Sequence, residues 1–207
     1  MKGGGLKSKL ALVVLGRSGS GKGTQARLLL KRLEKQGVHH METGRFLRGL
    51  LEMHDNPTIE ITRRTLKRGD LLPSWLAAFT WLKELIEKGN ADKHLVFDGA
   101  PRRLWEAQLM DEVMRWHGRM PPLCILIEVP RQEVARRLLA RGRADDTPRA
   151  IRHRLSYFSK YVLPVIRYYE RHKRLVRVDG MPAPEVIGKS IDAVLSRKLG
   201  RLWPKTR

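Results

Sequence analysis

The chain has 207 residues, 42% of them hydrophobic, which is enough for one domain with a buried core and excludes a disordered protein. Lys and Arg number 42 against 21 Asp and Glu, giving a net charge of +21. This excess predicts a phosphate-bearing partner, with a solvated basic surface as the alternative. The single cysteine, Cys124, excludes a disulfide framework and a thiolate zinc site and fits a reducing compartment.

The first residues of the sequence do not have the pattern of a secretory signal peptide. Residues 1–9 are basic and lack the apolar core of a signal peptide, so we expect a flexible tail and no secretion. No run of about 18 uncharged apolar residues occurs anywhere, so we expect no membrane span. These observations predict a cytoplasmic protein.

Four short apolar runs predict strands of a buried parallel sheet. They lie at residues 10–15, 94–97, 123–129 and 175–178. Helical patterns of ten or more residues separate them, as in βαβ units with right-handed crossovers. The predicted fold class is therefore α/β.

Two of the intervening helices have clear start signals. Pro73 opens one that should end near residues 89–90. Thr147 and Pro148 are typical of a cap and first helical position, and they begin a long helix that Pro164 should kink. The apolar residues of the first helix are predicted to be core: Trp75, Leu76, Phe79, Leu82, Leu85 and Ile86.

A glycine-rich segment follows the first predicted strand and begins a helix. Residues 16–24 (GRSGSGKGT) match G-x-x-x-x-G-K-[ST] except for one glycine between Lys22 and Thr24. At that position backbone N–H groups and the helix dipole converge on one anion. Lys22 is predicted to neutralise the β and γ phosphates of a nucleotide, and the Thr24 hydroxyl to lie near Mg²⁺.

Residues 21–25 (GKGTQ) resemble the adenylate kinase branch of the nucleoside monophosphate kinases. The resemblance covers about residues 10–195 and rests on five motifs that occur in the family's order. It implies a P-loop three-layer fold with a central parallel sheet in a single domain, residues 10–207. Within that domain it implies a small helical acceptor-binding insertion at 42–72 and a very short lid at 140–147.

Three further motifs resemble the family's acceptor side. Residues 43–48 (TGRFLR) resemble T-G-D-x-L-R, and residues 69–73 (GDLLP) resemble G-x-L-V-P. Residues 97–102 (FDGAPR) resemble D-G-[FY]-P-R at the carboxyl end of a central strand, where open α/β sheets bind ligands. The implied AMP site consists of Thr43, Arg48, Asp70, Leu71, Leu72, Gly99, Arg102, Glu106, Arg143 and Arg154. The implied Mg²⁺ site, largely through water, consists of Thr24 and Asp98.

The chain departs from the family pattern at four positions. Arg45 replaces an acid, which removes a carboxylate expected to order magnesium waters and adds positive charge near the phosphates. Glu106 replaces the glutamine that reads adenine. An ionised carboxylate only accepts hydrogen bonds, so the preferred base stays open among adenine, guanine and cytosine. Ser18 and Ala100 replace a proline and an aromatic residue, and we expect both to be tolerated.

Residues 131–177 are rich in arginine, with twelve Arg and two Lys against four acidic residues, a net charge of +10. Residues 137–146 (RLLARGRADD) and Arg154 resemble R-L-x-x-R-G…R-x-D-D…R. The resemblance implies that Arg137 stacks on the donor adenine. The resemblance also implies that three arginines surround the transferring phosphoryl group, namely Arg141, Arg143 and Arg154. It implies that Asp145 and Asp146 orient these arginines. A solvated face or an RNA-binding surface is predicted for Arg131, Arg149, Arg152, Arg167, Arg171, Arg174 and Arg177.

The resemblance implies a Mg²⁺-dependent nucleoside monophosphate kinase that moves the γ-phosphoryl group of ATP onto AMP and gives two ADP. The implied ATP site is Gly19, Ser20, Gly21, Lys22, Gly23, Thr24, Arg137 and Arg141, and the implied catalytic residues are Lys22, Arg102, Arg141, Arg143 and Arg154. No general base is needed, so the seven histidines are expected to be structural. We expect a monomer whose domains close to exclude water.

Three alternatives remain open. The first is an adenylate-kinase-like protein whose basic surface binds RNA or a ribosomal partner. The second is a kinase that prefers GMP or CMP because of Glu106. The third is a P-loop kinase for a sugar or shikimate, which the phosphate-binding set of Thr43, Arg48 and Arg102 disfavours.

Overall fold

The computed structural model describes residues 9–53, 55–88, 92–142 and 146–204. Its strands are β1 (Ala11–Gly16), β2 (Val38–Glu42), β3 (His94–Asp98), β4 (Leu123–Glu128) and β5 (Leu175–Asp179). Within these residues they form one parallel sheet of five strands in the order β2-β3-β1-β4-β5. The predicted α/β class and the four predicted strands are confirmed.

Helices cover both faces of the sheet. They are α1 (Lys22–Leu33), α2 (Thr43–Met53), α3 (Pro57–Lys67), α4 (Ser74–Lys88), α5 (Leu104–Trp116), α6 (Arg131–Arg141), α7 (Pro148–Tyr157), α8 (Leu163–Arg171) and α9 (Pro184–Leu199). One core layer packs α1, α6, α7 and α9 against the sheet, and the other packs α4, α5 and α8. The three-layer arrangement is therefore confirmed. Helices α2 and α3 lie between β2 and α4 in the chain, and a small cluster of Leu47, Leu72 and Leu76 joins this segment to the start of α4.

The sequence analysis missed β2, whose sequence VHHME contains no apolar run. This strand lies at the edge of the sheet, where Met41 is its one fully buried hydrophobic residue. An edge strand with polar side chains gives little hydrophobic signal. Its parallel register with β3 places Glu42 beside Asp98, at the carboxyl end of both strands.

The predicted core face of α4 is wrong for three residues. Trp75, Phe79 and Ile86 are 58%, 44% and 74% exposed, whereas Leu76 and Leu85 are buried. Apolar residues occupy more than one face of this helix, so its pattern does not indicate which face packs. The face that meets the sheet also carries Ala78 and Trp81, and Leu82 lies half-buried beside it.

The segment from residue 147 onward begins as predicted, and its α-helical pattern is interrupted before Pro164. The Thr147 side chain accepts a hydrogen bond from the backbone N–H of Ala150, and Pro148 occupies the first turn of α7. A π turn at Phe158–Val162 separates α7 from α8, immediately before Pro164. Proline cannot donate the usual helical hydrogen bond, and a π turn accommodates that interruption.

Arg174 has a structural role, whereas the prediction placed it on a solvated or RNA-binding surface. Its Nη1 donates to Asp111 Oδ1 at 2.8 Å and to Pro122 O at 3.1 Å, and its Nη2 donates to Asp111 Oδ2. Tyr168 Oη donates to the same carboxylate at 2.7 Å. The other arginines of that predicted set are exposed, as the solvated-face prediction requires.

Removing this buried carboxylate should destabilise the fold. We expect Asp111→Ala to lower the free energy of unfolding by about 3–5 kcal/mol, because the half-buried Arg174 then has no counter-charge. Urea denaturation followed by circular dichroism measures the change. The control is Glu60→Ala, which removes an exposed ion pair with Arg64 and should cost less than about 1 kcal/mol. Equal costs for the two variants contradict the assignment.

Among the described residues, no helix has both the length and the apolar character needed to cross a membrane.

Candidate active site

One cavity of about 1130 Å³ opens at the carboxyl ends of the central strands. Its walls come from the loop after β1, from α2, from residues 66–77, from the loop after β3, and from α6 and α7. The predicted site residues that line it are Gly19, Gly21, Lys22, Gly23, Thr24, Thr43, Arg48, Asp70, Leu71, Leu72, Asp98, Gly99, Arg102, Glu106, Arg137, Arg141 and Arg154. Ser20 does not line it, and Arg143 lies outside the described residues.

The glycine-rich loop between β1 and α1 depends on left-handed backbone conformations. Gly19 has φ 84° and Gly21, the residue before α1, has φ 90°. A Cβ on Gly19 would lie 2.9 Å from the Leu138 side chain, so a side chain there is excluded. Ser20 is fully buried beneath the loop, and its N–H donates to Arg17 O at 3.0 Å. The Ser20 hydroxyl is buried and makes no hydrogen bond among the described residues.

Lys22 lies at the centre of the charged part of the cavity. Its Nζ donates to Arg17 O at 3.0 Å. Burial lowers the pKa of Lys22 to about 8; the Asp98 carboxylate opposes this shift, whereas the Arg102 and Arg141 guanidinium groups add to it. Three cationic side chains from three different segments therefore converge here, an arrangement that suits a ligand with several phosphate charges.

The extra glycine of the phosphate motif faces a carboxylate. A Cβ on Gly23 would lie 3.3 Å from Asp98 Oδ2, so the Asp98 side chain closely approaches the first turn of α1. Thr24 and Glu42 line the same cavity. Carboxylate and hydroxyl oxygens are donors that Mg²⁺ prefers, and Mg²⁺ usually retains several waters beside one or two carboxylates. This set of oxygens fits a magnesium ion.

Two arginines are held side by side by one carboxylate. Asp146 accepts hydrogen bonds from Arg141 Nε at 2.8 Å, from Arg141 Nη2 at 2.7 Å and from Arg154 Nη1 at 2.7 Å. The Asp146 side chain is 1% exposed. Burial raises the pKa of Asp146, but the two guanidinium groups outweigh burial and hold it below its usual value. The structure places Asp146 where it orients both arginines, and Asp145 lies outside the described residues.

Arg137 links α6 to the loop after β5. Its Nε donates to Glu133 Oε1 at 2.7 Å, and its Nη1 donates to Gly180 O at 3.0 Å. The guanidinium plane is therefore fixed at the rim of the cavity. This position is open to a flat ligand group.

The part of the cavity lined by α2 and by the loop after β3 holds two further arginines. Arg102 Nε donates to Gly99 O at 2.7 Å, and its Nη1 donates to Tyr157 Oη at 3.4 Å. Arg48 Nη2 donates to Glu42 Oε1 at 3.1 Å. The sequence analysis missed Tyr157, which lines the cavity three residues after Arg154, and this helical spacing could have indicated it.

The Arg45 guanidinium lies beside a carboxylate of α4. Its Nη2 donates to Glu84 Oε1 at 3.5 Å, and it does not line the cavity. Glu84 is buried and also contacts His39 Nε2 at 3.0 Å and Lys88 Nζ at 2.9 Å. The expectation that Arg45 adds positive charge near the phosphates stays a prediction, and the Glu84 carboxylate of α4 lies beside this guanidinium.

The residues after α3 lie against α7. A Cβ on Gly69, which has φ 77°, would lie 2.9 Å from Ala150 Cα. Asp70 accepts a hydrogen bond from Arg68 Nε at 2.9 Å and contacts His153 Nδ1 at 3.0 Å. The N–H of Asp70 donates to Thr65 O at 3.1 Å, so this backbone donor is not free for a ligand. The next two residues, Leu71 and Leu72, also line the cavity.

Glu106 lies in the first turn of α5 and belongs to the cavity wall. The residue is 1% exposed, and its Oε2 accepts the backbone N–H of Arg102 at 2.7 Å. Burial raises the pKa of Glu106; the N–H and guanidinium of Arg102 oppose this shift without cancelling it. Burial at this position therefore disfavours the ionised carboxylate that was assumed from the sequence.

Comparisons with known proteins agree with this geometry. A family model described as adenylate kinase matches residues 14–174. The adenylate kinase of Thermus thermophilus is 36% identical over 189 residues, covering 89% of this chain and 96% of that protein. Adenylate kinase 1 of Synechocystis sp. is 32% identical over 185 residues, covering 89% and 96%. Adenylate kinase 1 of Nostoc sp. is 30% identical over 184 residues, covering 89% and 97%. The chain therefore belongs to the adenylate kinase family of phosphotransferases.

Proposed function

We propose that the protein transfers the γ-phosphoryl group of ATP to AMP and forms two molecules of ADP. The observation that carries the proposal is that a glycine-rich loop, Lys22 and five arginines from four segments line one cavity; the arginines are Arg48, Arg102, Arg137, Arg141 and Arg154. Two nucleotides that bring several phosphate charges together need this density of cations. The reaction requires positioning and electrostatic stabilisation rather than a covalent intermediate.

The donor side is built on the loop between β1 and α1. The first turn of α1 and the glycines of the loop provide backbone N–H groups for the β and γ phosphates. Lys22 adds a point charge beside them, and Arg137 provides a flat surface for the adenine. We assign these residues to the ATP site together with Arg141.

The acceptor side is built on residues 42–72 and on the loop after β3. Arg48 and Arg102 are placed to bind the acceptor phosphate, and Thr43 lies beside Gly99, 3.6 Å from where a Cβ would be. Leu71 and Leu72 offer apolar contact to the base. We propose that residues 42–72 form the acceptor-binding insertion and that this insertion closes on the domain core during turnover.

Arg141 and Arg154 stabilise the transferring group. Asp146 holds both guanidinium groups in place before substrate arrives, so little reorganisation is needed as charge develops. Arg143 belongs to the same proposal, although it lies outside the described residues. The attacking oxygen is already an anionic phosphate oxygen, so no general base is assigned.

Thr24 and Asp98 are the residues that would hold Mg²⁺, with Glu42 nearby. The ion would neutralise negative charge on the transferring phosphates when bound with ATP. Because these side chains act largely through ordered water, removing one of them should weaken the metal site without abolishing the fold.

Asp98→Asn should raise the magnesium requirement. We expect the Mg²⁺ concentration for half-maximal activity to increase about 10-fold or more, because one anionic ligand of the water shell is lost. A magnesium titration at fixed total ATP measures it. Asp55→Asn, an exposed aspartate paired with Arg63, is the matched control. An unchanged requirement in Asp98→Asn removes Asp98 from the metal site.

A label-transfer experiment tests the proposed reaction. The protein is incubated with Mg²⁺, γ-labelled ATP and AMP, and the nucleotides are separated. The proposal predicts that label enters ADP and that free phosphate forms slowly without AMP. Rapid release of free phosphate with no labelled ADP identifies a nucleotide hydrolase and contradicts the proposal.

AMP is the proposed acceptor because the matched relatives are named adenylate kinases. The same comparisons lend no support to the RNA-binding alternative or to a sugar kinase. The cytoplasmic location and the monomeric state stay predictions. A measurement of molecular size in solution checks the oligomeric state.

A further inference from the structure

A buried carboxyl oxygen on the acceptor side has no partner within the described part of the chain. Glu106 Oε2 accepts the N–H of Arg102, but Glu106 Oε1 is buried and makes no hydrogen bond there. The residue nevertheless belongs to the wall of the cavity. A buried oxygen without a partner is costly unless a ligand satisfies it, so this oxygen points to a ligand contact.

The groups that face Glu106 come from two elements. Before and at the start of α5 lie the N–H and guanidinium of Arg102 and the N–H of Arg103, all of which favour the ionised carboxyl. The Trp81 indole of α4 also lies close enough to Glu106 to favour the ionised carboxyl. The Nε1 atom of Trp81 makes no hydrogen bond among the described residues. Arg102 is thus the one charged group among them. Burial outweighs all of these groups and raises the pKa of Glu106.

The neighbourhood of this carboxyl suits a nucleobase. Ala77, one helical turn before Trp81, lines the cavity, as do Leu47 and Leu72. These side chains provide an apolar wall for a flat ring. Glu106 supplies a polar group at that wall. Its carboxyl accepts the backbone N–H of Arg102, and Arg102 belongs to the proposed phosphate site. The base and phosphate contacts of one nucleotide thus meet at the start of α5.

We propose that Glu106 selects the acceptor base as a neutral carboxylic acid, which donates the proton on Oε1 to the N1 lone pair of adenine. This inference rests on the proposed function, because it concerns the acceptor of that same site. A neutral carboxylic acid has one donor and retains an acceptor, like a carboxamide, and its remaining lone pairs can accept from the adenine amino group. Guanine carries a hydrogen on N1, so two donors would face each other at this position. The neutral acid should therefore reject guanine.

The proposal gives the acceptor preference a pH dependence of defined sign. The neutral form prevails below the pKa of Glu106 in the folded protein and is lost as the pH rises through that pKa. Above it, AMP binds only with uptake of one proton, and kcat/KM for AMP should fall about 10-fold per pH unit. Glu106→Gln is neutral at every pH and should not show this fall.

The test compares kcat/KM for AMP in wild type and in Glu106→Gln across the pH range, at saturating Mg-ATP. Titration of the AMP phosphate and of Lys22 occurs in both proteins and cancels from the ratio of the two values. We expect the ratio of wild type to Glu106→Gln to be constant at low pH and then to fall. Glu112→Gln, an exposed residue on the same helix, should leave the wild-type profile unchanged.

Calorimetry gives a second readout that does not depend on turnover. AMP binding is measured at a pH on the falling limb, in two buffers with different ionisation enthalpies. Wild type should take up close to one more proton per AMP than Glu106→Gln does. Equal proton uptake together with a constant rate ratio overturns the proposal. Thermal unfolding of both proteins shows whether the variant is folded.

The acceptor panel separates the two possible failures. If wild type and Glu106→Gln both phosphorylate AMP with identical pH profiles, the proposed function stands and the neutral-acid inference fails. If wild type prefers GMP and Glu106→Gln loses that preference, Glu106 acts as an ionised acceptor of two donors, and the inference fails with it. If neither protein phosphorylates any nucleoside monophosphate, the proposed function fails.

Discussion

Replacing Lys22 with alanine is expected to lower kcat about 10²- to 10³-fold or more with ATP and AMP. Lys22 lies within the electrostatic reach of Asp98, Arg102 and Arg141, in the first turn of α1. Its ammonium group is partly withdrawn from water, so the surrounding water replaces its charge only in part. Loss of the ammonium group removes an interaction that strengthens as charge moves between the two phosphates. Steady-state kinetics at saturating substrates measure the effect.

The controls separate charge from structure. Lys31→Ala removes an exposed lysine from the last turn of the same helix and should leave kcat unchanged. Lys22→Arg keeps the charge but brings a planar, longer side chain into a buried position, and we expect it to remain severely impaired. Thermal unfolding should show both Lys22 variants folded. If Lys22→Ala retains more than about a tenth of wild-type activity, Lys22 does not contribute as assigned.

Asp146→Ala is expected to lower kcat/KM about 10²-fold, although Asp146 touches no substrate in the proposed mechanism. Its carboxylate fixes the positions of Arg141 and Arg154, and both guanidinium groups lose that constraint when it is removed. A small displacement of positioning groups is enough for a loss of this size. The same change leaves the buried Arg154 without this counter-charge and should cost about 3–5 kcal/mol of stability.

A conservative variant shows whether Asp146 works by position. Asp146→Asn keeps one acceptor oxygen, so it should retain more activity than Asp146→Ala. The stability difference between wild type and Asp146→Asn should be present at neutral pH. It should disappear as the pH falls through the lowered pKa of Asp146, because the protonated aspartic acid resembles the amide. Asp55→Ala, at an exposed ion pair, is the control. Wild-type kcat/KM in folded Asp146→Ala contradicts the positioning role.

The fold could be predicted where hydrophobic burial dominates the sequence pattern. The strand before residues 16–24 is buried on both faces, so it reads as an unbroken apolar run. Strand β2 could not be found in this way, because an edge strand with two histidines and a glutamate has no such run. On α4 the apolar residues surround the helix, so only the packed structure shows that Trp75 lies outside and Trp81 inside.

The cavity-lining residues that belong to motifs were predictable, because each motif carries its own local geometry, whereas Tyr157 was not predicted. Contacts between segments were not. The pairing of Arg174 with Asp111 joins residues 63 positions apart, and that of Arg45 with Glu84 joins residues 39 apart. No local pattern encodes such pairs. The environment of Glu106 was missed for the same reason, because its burial depends on how α5 packs beside α4.

Product analysis with Mg-ATP and each of AMP, GMP, CMP and UMP tests the central claim most directly. The account predicts rapid formation of ADP from AMP, at two ADP per AMP consumed, with the other three acceptors much slower. Lys22→Ala sets the background for all four reactions. If no acceptor is phosphorylated above that background, the assignment of this cavity to phosphoryl transfer between two nucleotides is contradicted.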